Sequence, residues 1–294
     1  MRKILGILFI IVGISVLVTL IGNKSVSSWY SSDTPHNQSA ILRNVDKIEI
    51  DADATNINLI PEEDRHKLMV DLHGGGSENV DLNVHRAGHE LEISVDHSWC
   101  EWFSFGEEMI LDVYVPGNYN QNIAVDLGSG NLNFHGASKK DPMVLNKLEV
   151  DMSSGNADLQ YLQLHQIVYD GSSGNFEAEW LTVKKSLFDI SSGNIELAHY
   201  TGALDAELSS GKFKAQIERL RGPIDIEASS GIISLDLPDE ADFTYQGNVS
   251  SGMIRNDYPL QNKRVDEENV VKGSHGTGEY PVNLEVSSGI INLY

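Results

Sequence analysis

A single cysteine, Cys100, stands in 294 residues, so no disulfide can close within the chain. Aromatic residues make up only 7% and prolines number 8. Any core must therefore be largely aliphatic. Cationic charge is also short: 21 Lys and Arg face 43 Asp and Glu, a formal charge of −22. Nucleic-acid binding needs clustered Lys and Arg to displace counterions, so nucleic acid is excluded as an expected partner. Long apolar runs are missing too, with one exception. Met1-Arg2-Lys3 is followed by the uncharged stretch Ile4–Gly22. As a helix this stretch would span about 28 Å, close to the hydrocarbon thickness of a bilayer. The basic start predicts a cytoplasmic N-terminus and an extracytoplasmic remainder. A cleaved signal peptide is the alternative. The run is long for such a peptide and no Ala-x-Ala-like site follows it, so a retained, single-pass anchor is expected. The Ser-, Asn- and Asp-containing stretch from Asn23 to Asn44, with Pro35 inside it, reads as a flexible tether.

What the chain has in plenty is one tripeptide. Ser-Ser-Gly ends at Gly155, Gly174, Gly193, Gly211, Gly231, Gly252 and Gly289, and a Gly-Ser-Gly variant ends at Gly130. Successive glycines lie 25, 19, 19, 18, 20, 21 and 37 residues apart. A fixed period near nineteen marks a stacked repeat. Two residues after each glycine the side chain is always apolar: Leu132, Ala157, Phe176, Ile195, Phe213, Ile233, Ile254, Ile291. Three before stand Leu127, Met152, Gly171, Ile190, Leu208, Ala228, Val249 and Val286. Alternation on both sides indicates strands with one buried face. The two inward positions are an odd number apart, so alternation slips at the glycine and the chain must bend there. The expected fold is all-β, a single-stranded parallel β-solenoid with rungs of about nineteen residues and a stacked serine ladder at the Ser-Ser-Gly corners.

Regular rungs are expected over 119–294, after irregular β rungs over 45–118. Ala54-Thr55-Asn56 resembles a degenerate corner. It lies about four repeat lengths before Gly130, which predicts irregular units in between. Trp99 to Phe105 is aromatic-rich, either a plug for one end of the core or an exposed contact patch. The interval from Met253 to Val286 lacks one clear corner and carries a charged insertion. The sequence stops five residues after Gly289. That predicts an open strand edge at Tyr294, able to support self-association unless the insertion folds over it as a cap.

Four residues before the glycines runs an acidic ladder: Asp126, Asp151, Asp170, Asp189, Glu207, Glu227 and Glu285, with Asn248 the exception. Its parity points outward. A solvated face is the plain reading. A shallow divalent-cation surface is the alternative, since Ca²⁺ takes several carboxylate oxygens. A polysaccharide hydrolase also uses two carboxylates. Here the same acids recur in nearly every rung, whereas catalysis needs one site unlike its neighbours. The repeated serines have no His at a fixed offset, so they are not nucleophiles. Gly211-Lys212 fails as a phosphate loop, because Phe213 stands where Ser or Thr is needed. His73-Gly74-Gly75-Gly76 reads as a glycine-rich turn. His73, His85, His89 and His97 with Cys100 could supply a Zn²⁺ site only if pairing gathered them, and no metal or cofactor is expected.

The basic start, the single apolar span, the Ser-Ser-Gly-Asn-Ile-x-Leu rungs and the strand Leu111-Asp112-Val113-Tyr114-Val115-Pro116 together resemble the bacterial "putative adhesin" domain family, in topology its LiaG-like members. The resemblance covers 45–294. It implies a β-solenoid at the cell envelope, linked to the envelope-stress response, with no established enzymatic activity and no site residues to transfer. The expectation is a non-enzymatic, membrane-anchored, extracytoplasmic adhesin or scaffold that contacts envelope proteins or wall polymer. A carbohydrate-active enzyme and a divalent-cation-responsive module remain as alternatives.

Overall fold

The computed structural model describes residues 36–77, 80–97, 108–266 and 269–294. Within them every regular element is a strand: β1 Asn37–Ala40, β2 Lys47–Ala54, β3 Asn56–Glu62, β4 Leu68–Gly74, β5 Val80–Ala87, β6 Glu90–His97, β7 Met109–Pro116, β8 Asn122–His135, β9 Met143–Asp236, β10 Phe243–Asn256, β11 Gln261–Asp266, β12 Val270–His275 and β13 Tyr280–Leu293. The proposed membrane span at Ile4–Gly22 and the Trp99–Phe105 cluster lie outside the described residues. Strand β1 falls in the stretch expected to be a tether. It is ordered by antiparallel pairing to β4, with Ala40 opposite Leu68.

The parallel ladder is in register at the corners. Gly130 pairs with Gly155, Gly231 with Gly289, and Gly252 with Gly289. Strand β9 passes through five Ser-Ser-Gly corners without a break, so each corner is a bend in one continuous strand. Glycine is required there twice over. The eight corner glycines have φ between 121° and 155°, a region side chains resist. A Cβ on any of them would also lie 1.8–2.2 Å from the carbonyl oxygen of the corner beneath.

Those close approaches order the stack as Thr55, Gly130, Gly155, Gly174, Gly193, Gly211, Gly231, Gly289, Gly252. Two expectations change here. The Thr55 corner is indeed the first rung, but it stacks directly on the Gly130 rung, with Ile48 opposite Ile123 and Ile57 opposite Leu132. The residues between them lie outward of that rung. Strands β6 and β7 form a further parallel layer on β2 and β3. Antiparallel β5 and β4 cover that layer in turn. Residue spacing counts chain length and not layers, and hairpins double back without adding rungs to the interval. At the other end, Tyr294 is not an open edge. Strand β13 lies between the last turn of β9 and β10, pairing with Ile224–Leu235 on one side and Phe243–Asn256 on the other. The charged insertion forms the β11–β12 hairpin, and β12 caps β10 antiparallel from Phe243 to Asn248. Among the described residues at this end, 250–256 of β10 is left uncovered, with Met253 48% exposed, and β11 pairs on one side only.

The inward assignment holds at all eight positions three before the glycine and at seven of the eight two after it; Ile254, near that edge, is partly buried. Tyr169 and Phe176 meet tilted at 4.6 Å, and Phe176 meets Phe188 edge-on at 5.1 Å, as Phe188 meets Phe213 at 6.3 Å, one aromatic column along the core. The corner ladder differs from expectation. Serine hydroxyls reach backbone carbonyls of the adjoining rung, as Ser129 does to Asp53 at 3.3 Å and Ser173 to Ser153 at 3.4 Å. The side-chain ladder is asparagine, one residue after the glycine. Asn131, Asn156, Asn175 and Asn194 each donate Nδ2–H to the Oδ1 of the rung before, starting from Asn56, at 2.8–3.1 Å. An amide both donates and accepts along a stack, and the stack spacing matches its length.

Candidate functional site

Three slips of alternation per turn divide the solenoid surface. Buried residues run Ala157 and Leu159, then Leu162 and Leu164, then Ile167, Tyr169 and Gly171, then Phe176 of the next rung. Each step between groups is odd, so each is a bend. The turn therefore has three walls, one before the Ser-Ser-Gly corner, one after it, and a third.

The wall before the corner carries the acids. Asp51 pairs in register with Asp126, Asp126 with Asp151, and Glu227 with Glu285. Burial, then the carboxylate of a neighbouring rung, holds Asp126, Asp151 and Asp170 above their ordinary value. Burial, then Asp225 and Glu285, does the same to Glu227. The ladder places an outward carboxylate on nearly every rung, at about 4.8 Å per layer, and Glu149, Asp205 and Asp225 add a second beside Asp151, Glu207 and Glu227. Among the described residues, no three His, Cys, Asp or Glu side chains converge in a group that could hold a metal ion.

The second bend holds an aromatic cluster that alternation did not reveal. Tyr161, Trp180 and His199 have φ of 55°, 56° and 54°, so each stands at the same left-handed turn of successive rungs. Trp180 and His199 stack at 3.7 Å with planes 2° apart. Lys139 lies 3.2 Å from the Trp180 ring centroid. Glu218 accepts from His199 Nδ1 at 3.0 Å and pairs with Lys139 at 3.5 Å. The His199 bond, then Lys139, holds the Glu218 carboxyl below its ordinary value. The signal was legible only in register: 161, 180 and 199 are nineteen apart. Every charged group in this cluster is satisfied within it, which makes it a clasp along the corner.

The third wall carries a groove of about 580 Å³. It crosses five successive rungs, through Val144, Gln163 and His165, Thr182 and Lys184, Thr201 and Gly202, and Arg221. No carboxylate lines it. At Gly202 the inward side chain is replaced by the ring of Tyr200, whose hydroxyl bonds Ser186 at 2.6 Å and the Ala203 carbonyl at 2.7 Å. The sequence showed no basic cluster, because His165, Lys184 and Arg221 are brought together only by stacking.

The remaining candidates are dispersed. His73 pairs with Asp112 at 3.1 Å and His89 with Asp46 at 3.2 Å. His85 stands opposite Glu92 across the β5–β6 ladder. The side chain of His97 and Cys100 lie outside the described residues. Gly74 has φ 91°, and a Cβ there would lie 2.2 Å from the Glu108 carbonyl oxygen. The run Gly273–Gly278 wraps a carboxylate: Asp242 accepts from Thr277 Oγ1 at 2.7 Å and from the backbone N–H groups of Gly278 and Glu279. Those bonds hold its pKa down to about 2. This loop anchors the C-terminal cap.

No curated protein matches the sequence. Among solved structures, a "putative adhesin" from Parabacteroides distasonis is 13% identical, with 88% of this chain and 96% of that chain covered and a TM-score of 0.49. One from Bacteroides fragilis is 16% identical, with 90% and 98% covered and a TM-score of 0.42. The family model for Toastrack DUF4097 matches residues 45–294. That interval begins at the first layer of the ladder and ends with β13, and the chain belongs to the Toastrack DUF4097 family.

Proposed function

We propose that this chain is a non-enzymatic, membrane-anchored envelope protein that works as an extracytoplasmic adhesin or scaffold of the LiaG-like kind, tied to the response to cell-envelope stress. One observation carries the reading. A continuous in-register ladder presents walls of different charge, with acids on one and a carboxylate-free groove on another. Such a surface offers long, repeated contacts, and its carboxylates recur rung after rung with none singled out for chemistry. Ile4–Gly22, behind Met1-Arg2-Lys3, supports anchoring with the solenoid outside. Among the described residues no helix is long and apolar enough to cross a membrane, so the anchor rests on that stretch alone. Contact between copies belongs, on this reading, to the edge 250–256 and not to Tyr294.

Crosslinking and pull-down from intact cells tests the reading, together with fractionation and protease shaving. The expected result is a membrane-bound chain, cleaved from outside, that captures an envelope component. A chain found in the cytosolic fraction and resistant to external protease would overturn it.

A further inference from the structure

We propose that the groove on the third wall is a binding site for a single linear polyanion, a polymer bearing one phosphodiester or carboxylate per repeat. The proposal rests on the envelope reading above and names the ligand class for it.

The argument begins with charge. Acids outnumber bases 43 to 21 in the chain, yet the groove is lined by His165, Lys184 and Arg221 and by no acid. Several lysines elsewhere are held by neighbours. Lys47, Lys139, Lys147 and Lys214 each pair with a glutamate. Neither Lys184, Arg221 nor His165 makes an ion pair with a carboxylate among the described residues. Unpaired cations on a strongly acidic protein are the groups a polyanion would find.

Geometry sets the polymer's shape. The lining comes from five successive rungs, so the groove runs along the solenoid axis for about 19 Å at 4.8 Å per layer. His165 and Lys184 are one layer apart, and Lys184 and Arg221 two. The basic side chains therefore recur about 5 and about 10 Å apart along the track, a spacing that suits a chain charged at each repeat. Gln163 and Thr182 add amide and hydroxyl groups able to bond sugar or polyol oxygens, and Val144, 44% exposed, supplies an apolar contact at one end.

The groove is a track one strand-wall wide across five rungs, and a slender chain lying in it meets His165, Lys184 and Arg221 with no carboxylate in the lining.

The test uses the full chain purified in a non-ionic detergent. Binding is read by calorimetry at low salt with poly(glycerol phosphate), with polygalacturonate, and with neutral dextran. The expected result is saturable binding of one or both anionic polymers and none of dextran, with affinity falling as salt rises. The two anionic arms tell a phosphodiester source from a carboxylate one. The double variant Lys184→Ala, Arg221→Ala should weaken binding at least tenfold and flatten the salt dependence, with an unchanged melting temperature because both side chains are exposed. Lys214→Ala, on another wall and paired with Glu196, should leave binding unchanged. No binding of either polymer, or equal loss in Lys214→Ala, would overturn the proposal. So would binding to phosphatidylglycerol vesicles or to single-stranded DNA that exceeds polymer binding and is lost in the double variant. The assay is independent of where the chain resides, so a failure of the anchoring reading and a failure of the groove are told apart.

Discussion

Gly171 is glycine because Tyr169 occupies its side-chain space: a Cβ there would stand 2.8 Å from the Tyr169 ring and 2.9 Å from its hydroxyl. The pair recurs. A Cβ at Gly247 would stand 2.2 Å from the Tyr245 hydroxyl, and one at Gly202 would stand 3.2 Å from the Tyr200 hydroxyl and 1.8 Å from the Val183 carbonyl oxygen. In each, a tyrosine two residues upstream fills an inward position where the rung carries no side chain.

Gly171→Ala should therefore destabilise the solenoid by about 1–3 kcal/mol through overpacking. Urea unfolding measures it. The penalty should shrink when Tyr169→Leu is made first, because the two positions share one volume. An additive pair would show that the ring is not the cause.

Ile195→Ala should cost about 2–5 kcal/mol, since this side chain is 1% exposed within the stacked core. A loss under about 1 kcal/mol, measured by the same unfolding, would contradict its inward placement.

Asn175 sits mid-ladder, donating to Asn156 at 2.9 Å and accepting from Asn194 at 2.8 Å. Asn175→Ala should cost about 1–2 kcal/mol, the worth of two exposed bonds. Replacing the serine before the corner, Ser173→Ala, should cost less, because its 3.4 Å bond goes to a backbone carbonyl. Equal costs would restore serine as the ladder.

The acidic wall predicts a pH dependence of definite sign. Asp151 has an ordinary value of 3.8 that folding raises, through burial first and then Asp170. The stability it contributes is present below 3.8 and lost as pH rises through its folded value, so at pH 7 its charge is a net cost. Asp151→Asn should raise the melting temperature at pH 7 and do nothing near pH 3. Asp242 should act oppositely. Its value falls to about 2, so its contribution is present above 3.8 and is lost as pH falls toward 2. A lower melting temperature for Asp151→Asn at pH 7 would refute the repulsion. Millimolar Ca²⁺ should stabilise no more than NaCl of equal ionic strength, since among the described residues no group of three acids or histidines converges to hold an ion.

Removal of Ile290–Tyr294 should strip a layer from inside the stack, since Ile291 lies between Ile233 and Ile254. Hydrogen exchange should then show loss of protection from Phe243 to His275 while Met143 to Gly211 stays protected.

The rungs were legible because glycine and its flanking apolar residues report backbone bend and burial directly. Leu208 and Phe213 needed no tertiary information to be placed inside. Layer order was not legible. Nothing local in β13 says that it enters between β9 and β10, because its Ser-Ser-Gly matches every corner equally well. The groove failed for a related reason. Lys184 and Arg221 are far apart in the chain, and only the stack makes them neighbours. The acids, by contrast, recur at one fixed offset and were plain.

The placement of β13 also bears on when the fold can finish. A chain emerging from its N-terminus can lay each rung of β9 on the one before it. It cannot do so for β10, whose parallel partner is made later. Asn292 and Ser234, bonded side chain to side chain, are 58 residues apart, so the final layers close by a long loop and not by stepwise growth. Until β13 arrives, both the end of β9 and the facing strand β10 wait with unpaired backbone. That interval is when a nascent molecule is most open to pairing with another copy, and when a holding chaperone would have most to cover.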